Sequence, residues 1–390
     1  MSSSENNVPS MELHKAINYI LGNCELQLSR PEMAIPYMTG SPGIGKTQFA
    51  KKAAEQRGFK LVPFHFSLIP IEEIGGLPQF EQVENTNYTG TKWSLPDVMT
   101  EIYKAAAKNE KVVVMLDDYH MSSPAHLALG YEMFSERKLR NYVFPDNVAF
   151  IAAGNDSAKS GAKQMFGAIV NRFAMFKVEP DFDFWVNNYA IPTGVNPKIV
   201  TFLKSEVNKR FFLEEEDTYK PWASPRSWSR FSYMLNELEK YIADIPQTDI
   251  QYLGYAHLGG YASSEFTAYY QIYSKTEMDR IFDKKKSIII PESNSDQYIY
   301  GMAAASEYIN RIVETPKDKK QHIEIVGDII IETAKRSVEI GVAIIKNISD
   351  YNKVLNKNMY IGDIFTNIRK DKVIESKMSN TLSNILESLS

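Results

Sequence analysis

From residue 34 to residue 178, short apolar runs alternate with longer stretches in which apolar residues recur at helical spacing. Ala34-Ile35-Pro36-Tyr37-Met38 reads as a buried strand, and Thr47 to Arg57 as a helix ended by Gly58. A second strand is predicted at Leu61–Phe66 and a helix over Asp97–Lys108. Val112-Val113-Val114-Met115-Leu116 is continuously apolar, as suits a central parallel strand covered on both faces. A helix over Pro124–Arg137 follows, then strands at Leu139–Phe144 and Val148–Ala153 around the turn Pro145-Asp146-Asn147, and a last strand at Phe173–Val178. Strands alternating with helices predict a parallel α/β sheet. Residues 69–97 interrupt this rhythm, because Ile74-Gly75-Gly76-Leu77-Pro78 and Tyr88-Thr89-Gly90 break any long element.

Outside that region the pattern is helical. Residues 10–22 predict a short amphipathic helix with Leu13, Ile17, Ile20 and Leu21 on one face. Residues 181–275 read as helices broken at Pro192-Thr193-Gly194 and Pro221–Pro225. Residues 276–295 carry Lys284-Lys285-Lys286 and Pro291-Glu292-Ser293-Asn294-Ser295 and read as an exposed connector. From Gln297 onward three or four amphipathic helices are predicted, most clearly over Gly301–Val313 and Gln321–Ile345. The expected organisation is therefore a tail and helix at 1–33, an α/β core at 34–180, a helical domain at 181–275 and a helical extension at 276–390.

Composition narrows the class. The 390 residues, 44% hydrophobic and 24% charged, suit two or three globular domains. A formal net charge of −4 gives no global pull toward nucleic acid. The single cysteine, Cys24, excludes an internal disulfide and fits a reducing, cytoplasmic setting. No apolar run approaches the ~20 residues needed to span a bilayer, and the polar start Met1-Ser2-Ser3-Ser4 is not a signal peptide.

The chemistry concentrates after the first core strand. Gly40-Ser41-Pro42-Gly43-Ile44-Gly45-Lys46-Thr47 is a complete G-x-x-x-x-G-K-[ST] phosphate-binding loop between a strand and a helix. Its glycines let backbone N–H groups turn toward phosphate oxygens, Lys46 brings charge to the β- and γ-phosphates, and the Thr47 hydroxyl reaches Mg²⁺. Asp117-Asp118 ends the apolar strand, where one carboxylate can serve Mg²⁺ and the next the attacking water; such a pair also serves as a helix N-cap. Asn155, closing Ile151-Ala152-Ala153-Gly154-Asn155, is either a γ-phosphate-side amide or a plain turn residue. Arg172, in Asn171-Arg172-Phe173, is an arginine-finger candidate or a surface ion-pair residue. Arg226, in Ser224-Pro225-Arg226-Ser227-Trp228, is a nucleotide contact from the second domain or an ordinary first-turn residue.

This order of motifs resembles the AAA+ ATPases, specifically their MoxR-like branch, from about residue 34 to residue 275. The resemblance makes Gly40–Thr47 the Walker A loop and Val113–Asp118 Walker B. It places Asn155 at sensor 1, Arg172 at the arginine finger and Arg226 at sensor 2 of a helical lid. Pro145-Asp146-Asn147, Ala152-Ala153-Gly154-Asn155 and Ala223-Ser224-Pro225-Arg226-Ser227-Trp228 are similar to the subgroup whose partners carry von Willebrand factor A domains. Residues 69–97 resemble that branch's insertion in its second helix, and Leu139–Phe144 part of its hairpin before sensor 1; both face the central pore in relatives. Asp118 departs from the family's commoner Glu. The resemblance implies a Mg²⁺-dependent ATPase that assembles as a ring, a hexamer by expectation, and remodels a protein partner in a chaperone-like manner.

Other signals point less far. His14, His65, His120, His126, His257 and His322 contain no i, i+4 pair, so no zinc site is expected. The lysine triplet reads as a solvated loop, and Tyr252, Tyr255, Tyr261, Phe266, Tyr269 and Tyr270 as lid core. The alternative functions are a nucleic-acid motor or its loader, disfavoured by charge, and an ATP-gated scaffold that hydrolyses slowly.

Overall fold

The computed structural model describes residues 10–155, 167–214, 219–242, 244–314 and 318–387. The chain divides into two compact units, Met1–Asp181 and Phe182–Ser390.

The first unit is built on a six-stranded, all-parallel sheet. The chain runs β1 (Ser10–Glu12), α1 (Leu13–Ser29), β2 (Ile35–Thr39), α2 (Lys46–Gln56), β3 (Phe59–Phe64), α3 (Ile71–Gly75), the hairpin β4 (Pro78–Gln82) and β5 (Thr89–Trp93), and α4 (Asp97–Ala106). It continues through β6 (Lys111–Leu116), α5 (Pro124–Glu136), the small hairpin β7 (Lys138–Leu139) and β8 (Tyr142–Val143), β9 (Val148–Gly154), α6 (Gly167–Val170) and β10 (Phe173–Glu179). The spatial order is β1-β10-β2-β9-β6-β3. Central β9 is buried at every position, and β6 at all but its first, which explains their unbroken apolar sequences. Because β2 lies between β9 and β10 while the chain leaves it toward β3 on the far side, the strand order reverses at the carboxyl end of β2. That crevice is where open α/β sheets bind ligands.

Two expectations need correction here. The first helix does not start at residue 10: Ser10–Glu12 pair with Lys177–Glu179 as a sheet edge, and the helix runs on to Ser29. Its extension is held by buried Gln27, whose amide both donates to the Phe150 carbonyl and accepts the Phe150 N–H, each at 2.9 Å. A polar residue in the core is invisible to an apolar-periodicity reading. Leu139–Phe144 is not one strand either, because Arg140 takes a left-handed φ of 56° and folds the segment back on itself. Residues 69–97 hold a short helix and an exposed hairpin.

The second unit is helical: α7 (Phe182–Trp185), α8 (Pro197–Lys204), α9 (Pro225–Tyr241), α10 (Gln247–Leu258), α11 (Gly260–Lys275), α12 (Met278–Phe282), α13 (Asn294–Glu314), α14 (Lys319–Arg336), α15 (Val338–Leu355), α16 (Ile361–Ile368) and α17 (Lys372–Glu387). One apolar core runs through it, from Phe202, Trp228 and Phe266 to Tyr308, Ile329 and Ile364. Lys204 on α8 donates to Asn347 and Asp350 on α15 at 2.7 and 2.9 Å, so residues on both sides of position 275 belong to the same packed body. The 276–295 connector is only partly exposed, since Met278, Ile281 and Phe282 on α12 are buried. The run Gln321–Ile345 is two helices: Ser337 is extended (φ −142°, ψ 108°) and separates α14 from α15 although the apolar pattern continues across it. The tyrosine-rich stretch divides, with Phe266, Tyr269 and Tyr270 in the core and Tyr252, Tyr255 and Tyr261 on the surface. No helix among the described residues is long and apolar enough to cross a membrane.

Candidate functional site

Residues Gly40–Thr47 leave the carboxyl end of β2 and enter α2. Gly43 (φ 82°) and Gly45 (φ 96°) are left-handed, a conformation that L side chains rarely adopt, and Gly45 caps the helix. A Cβ at Gly40 would sit 2.4 Å from the Val178 carbonyl oxygen, so the loop packs directly on β10. Buried Ile44 fixes it from below. The amino end of this 11-residue helix thus turns the positive end of its dipole toward the loop.

Two neighbouring strands, β6 and β9, deliver side chains to the loop. Lys46 is only 8% exposed, and its Nζ donates to the Gly40 and Ser41 carbonyls at 2.9 and 3.1 Å and to Asn155 Oδ1 at 3.0 Å. The Thr47 hydroxyl donates to Asp117 Oδ2 at 2.7 Å, and Asp117 Oδ1 accepts the Asp118 N–H at 3.1 Å. Asp118 has a left-handed φ of 51° and turns the chain into a short 3₁₀ segment, Tyr119–Met121. Its charge opposes ionisation of the Tyr37 phenol, which burial already pushes far up. Lys46, Thr47, Asp117 and Asn155, singled out by sequence, therefore form one bonded set at the ends of β2, β6 and β9. Thr47 Oγ1 and Asp117 Oδ2 are a hydrogen-bonded pair of hard oxygen donors, the ligand type that Mg²⁺ takes, with the carboxylate suited to hold it through water. These two residues fit the cation.

One site residue escaped the sequence reading. His120 is 5% exposed, and its Nδ1 accepts the Asn155 backbone N–H at 3.3 Å. Burial lowers its pKa; Lys46 pushes the same way, while Asp118 and Asp117 oppose. The ring was indistinguishable in sequence from the other histidines, because what marks it is a strand end brought to it by the sheet.

Arg172 stands apart from this set. Arg172 is exposed, and its carbonyl accepts the Ile35 N–H at 2.8 Å, which puts it at the amino end of β2. The phosphate loop leaves the opposite end, a five-residue strand of about 3.3 Å per residue away, or roughly 15 Å. The Arg172 guanidinium lies 5.6 Å from the centre of the Tyr131 ring and lowers that phenol's pKa by a hydrogen bond. Arg226 belongs to the second unit, exposed in the first turn of α9 beside a Ser224–Ser227 capping box.

A further trio, Glu12, His14 and Asp181, brings donor atoms within 4.8 Å of one another. His14 turns Nδ1 to Asp181 (3.1 Å) and Nε2 to Glu12 (4.0 Å), so the ring bridges two carboxylates rather than offering one nitrogen to a shared cation.

Burial lowers the pKa of His120, His257 and His322 alike. The unfolded chain, with imidazoles near 6.5, then binds more protons than the folded one, so this stabilisation is present above about pH 6.5 and lost as pH falls through the folded values. Glu214, its pKa raised by burial, opposes with a single group. The urea midpoint is expected to drop between pH 7.5 and pH 5.5; a midpoint that rises on acidification would contradict the assignment.

No family model matches the chain, and no curated protein matches it. Among solved structures the chain is similar to Thermotoga maritima RuvB. One mutant of that protein matches at 15% identity, over 69% of this chain and 75% of that one, with a TM-score of 0.30. The structure described as the Thermotoga maritima RuvB Holliday junction branch migration motor matches at 14% identity over 69% and 74%, also at 0.30. The superposition is loose, so what the site does follows from its own residues.

Proposed function

We propose that this chain is a Mg²⁺-dependent ATPase of the AAA+ class, MoxR-like, that works as a ring and remodels a protein partner. The observation that carries the reading is the Thr47–Asp117 hydrogen bond beside a buried Lys46 that reaches Asn155, at the sheet's switch point. In this reading Lys46 moves from the loop carbonyls to the β- and γ-phosphates, where its charge counters theirs. Thr47 and Asp117 hold Mg²⁺, which would neutralise phosphate charge. Asp118 orients the attacking water and takes its proton as the water oxygen bonds the γ-phosphorus and the bond to the β-phosphate oxygen breaks. Asn155 flanks that water. Arg172 reaches a neighbour's site, and Arg226 reports from the lid. The nucleotide core then spans 34–180 and the lid 181–275, with 276–390 as an extension.

A protein client, or a von Willebrand factor A domain partner, is favoured over nucleic acid by the β4–β5 hairpin. It exposes Phe80 (76%) and Tyr88 (77%), and its charged residues are Glu81, Glu84 and Lys92, with Lys92 paired to Glu81. A phosphate-backbone binder needs surplus Lys and Arg there. ATP turnover, measured with Mg²⁺ and with or without single-stranded DNA, tests the reading. Turnover should be present, indifferent to DNA and reduced by Asp118→Asn, whose amide cannot accept the water's proton. Several-fold stimulation by DNA would move the protein to the motor class, and full turnover in Asp118→Asn would remove that residue from the reaction.

A further inference from the structure

The corner formed by His120, Gly154 and Asn155 is built more tightly than a strand end requires. The β9 ladder ends at Gly154, and the next N–H, that of Asn155, is taken by His120 Nδ1 at 3.3 Å. The Asn155 side chain meanwhile presents Oδ1 to Lys46 at 3.0 Å. Gly154 is what lets the ring come this close: a Cβ there would lie 3.0 Å from His120 Nδ1 and 2.1 Å from the Tyr37 hydroxyl. The groups facing the imidazole are Asp117 and Asp118 from its own turn, Lys46 from the loop and Tyr37 from β2. Since Nδ1 accepts, the neutral ring carries its proton on Nε2.

We propose that His120 is a positioning residue for ATP hydrolysis, holding the Asn155 backbone through Nδ1 so that the Asn155 amide stays at the γ-phosphate side of Lys46. The inference rests on the ATPase reading given above. His120 touches no reacting atom in this account; it joins the turn that carries Asp118 to the strand end that carries Asn155. The two groups beside the water are thereby held in one frame. Loss of the bond should leave the phosphate loop intact and impair the step that needs Asn155 in place.

The test uses two variants of the full chain. His120→Phe keeps a flat ring but has no acceptor. His120→Asn places Oδ1 where Nδ1 stood and keeps one. Affinity for a fluorescent ATP analogue and turnover at saturating ATP are measured for both. In the Phe variant turnover should fall about tenfold, with affinity changed less than about threefold, as expected for loss of one hydrogen bond expressed only in the reaction. In the Asn variant turnover should return to within about threefold of the parent. Parental turnover in His120→Phe overturns the proposal, and so does an Asn variant as slow as the Phe variant. A Phe variant that loses affinity and melting temperature together, with the Asn variant doing the same, assigns His120 to packing alone. Lys46→Ala is run alongside: if that variant also turns over ATP like the parent, it is the ATPase reading that has failed.

Discussion

Lys46→Ala is expected to abolish ATP turnover and to remove measurable nucleotide binding. The amine is held at the centre of the site by Gly40 O, Ser41 O and Asn155 Oδ1, so it is pre-placed where phosphate oxygens would replace those acceptors. Its removal takes away a full charge from a largely buried position, where screening by water is weak. Loss of a single pre-organised donor of this kind costs on the order of 10²–10³ in rate. The fold should survive. The loop loses the amine's bonds to the Gly40 and Ser41 carbonyls but keeps the left-handed turns at Gly43 and Gly45 and the close packing of Gly40 on Val178. Turnover and analogue binding on the purified variant, with a melting curve beside them, decide the matter. A well-folded Lys46→Ala that binds and hydrolyses ATP like the parent would falsify the phosphate-loop assignment.

How much of this was legible in the sequence depends on how local each feature is. The loop and the two acids could be read because their chemistry is written in consecutive residues, and the continuous apolar runs of β6 and β9 follow directly from burial on both faces. The mistakes fall where tertiary contacts overrule a local pattern. Ser10–Glu12 become a strand because β10 offers a free edge. Gln27 extends a helix because β9 satisfies its amide. Ser337 breaks a run whose apolar spacing gives no sign of a break. Tyr252, Tyr255 and Tyr261 share a spacing with Phe266, Tyr269 and Tyr270, yet only the latter turn inward, since aromatic content alone does not say which face of a helix a neighbour covers. His120 is the instructive case at the site. Its meaning comes from a hydrogen bond 35 residues away in sequence, and no spacing rule reaches that far.

Mixing Arg172→Ala chains with Lys46→Ala chains should restore activity that neither has alone. Within one chain Arg172 stands at the amino end of β2 and the phosphate loop at its carboxyl end, so Arg172 cannot serve its own site without unmaking the strand between them. An exposed arginine steadied by the Tyr131 ring, at the end of β2 opposite the phosphate loop, suits a head-to-tail contact in which one subunit's edge meets the next subunit's nucleotide. An arginine supplied in trans contributes ~10³-fold or more to turnover, so each mutant by itself should be nearly inactive. In a ring assembled at random from equal parts, an active site needs an intact loop from an Arg172→Ala chain next to an intact finger from a Lys46→Ala chain. That arrangement arises at about one site in four, which bounds the recovery at about a quarter of parental turnover if sites act independently. The measurement is ATP turnover across mixing ratios, with co-assembly verified by pull-down of one tagged mutant with the other. Recovery peaking near equal parts supports an interface role for Arg172. Mixed rings that assemble and stay silent at every ratio would show that Arg172 does not complete its neighbour's site, and a mutant Arg172→Ala that is fully active alone would show that it completes none.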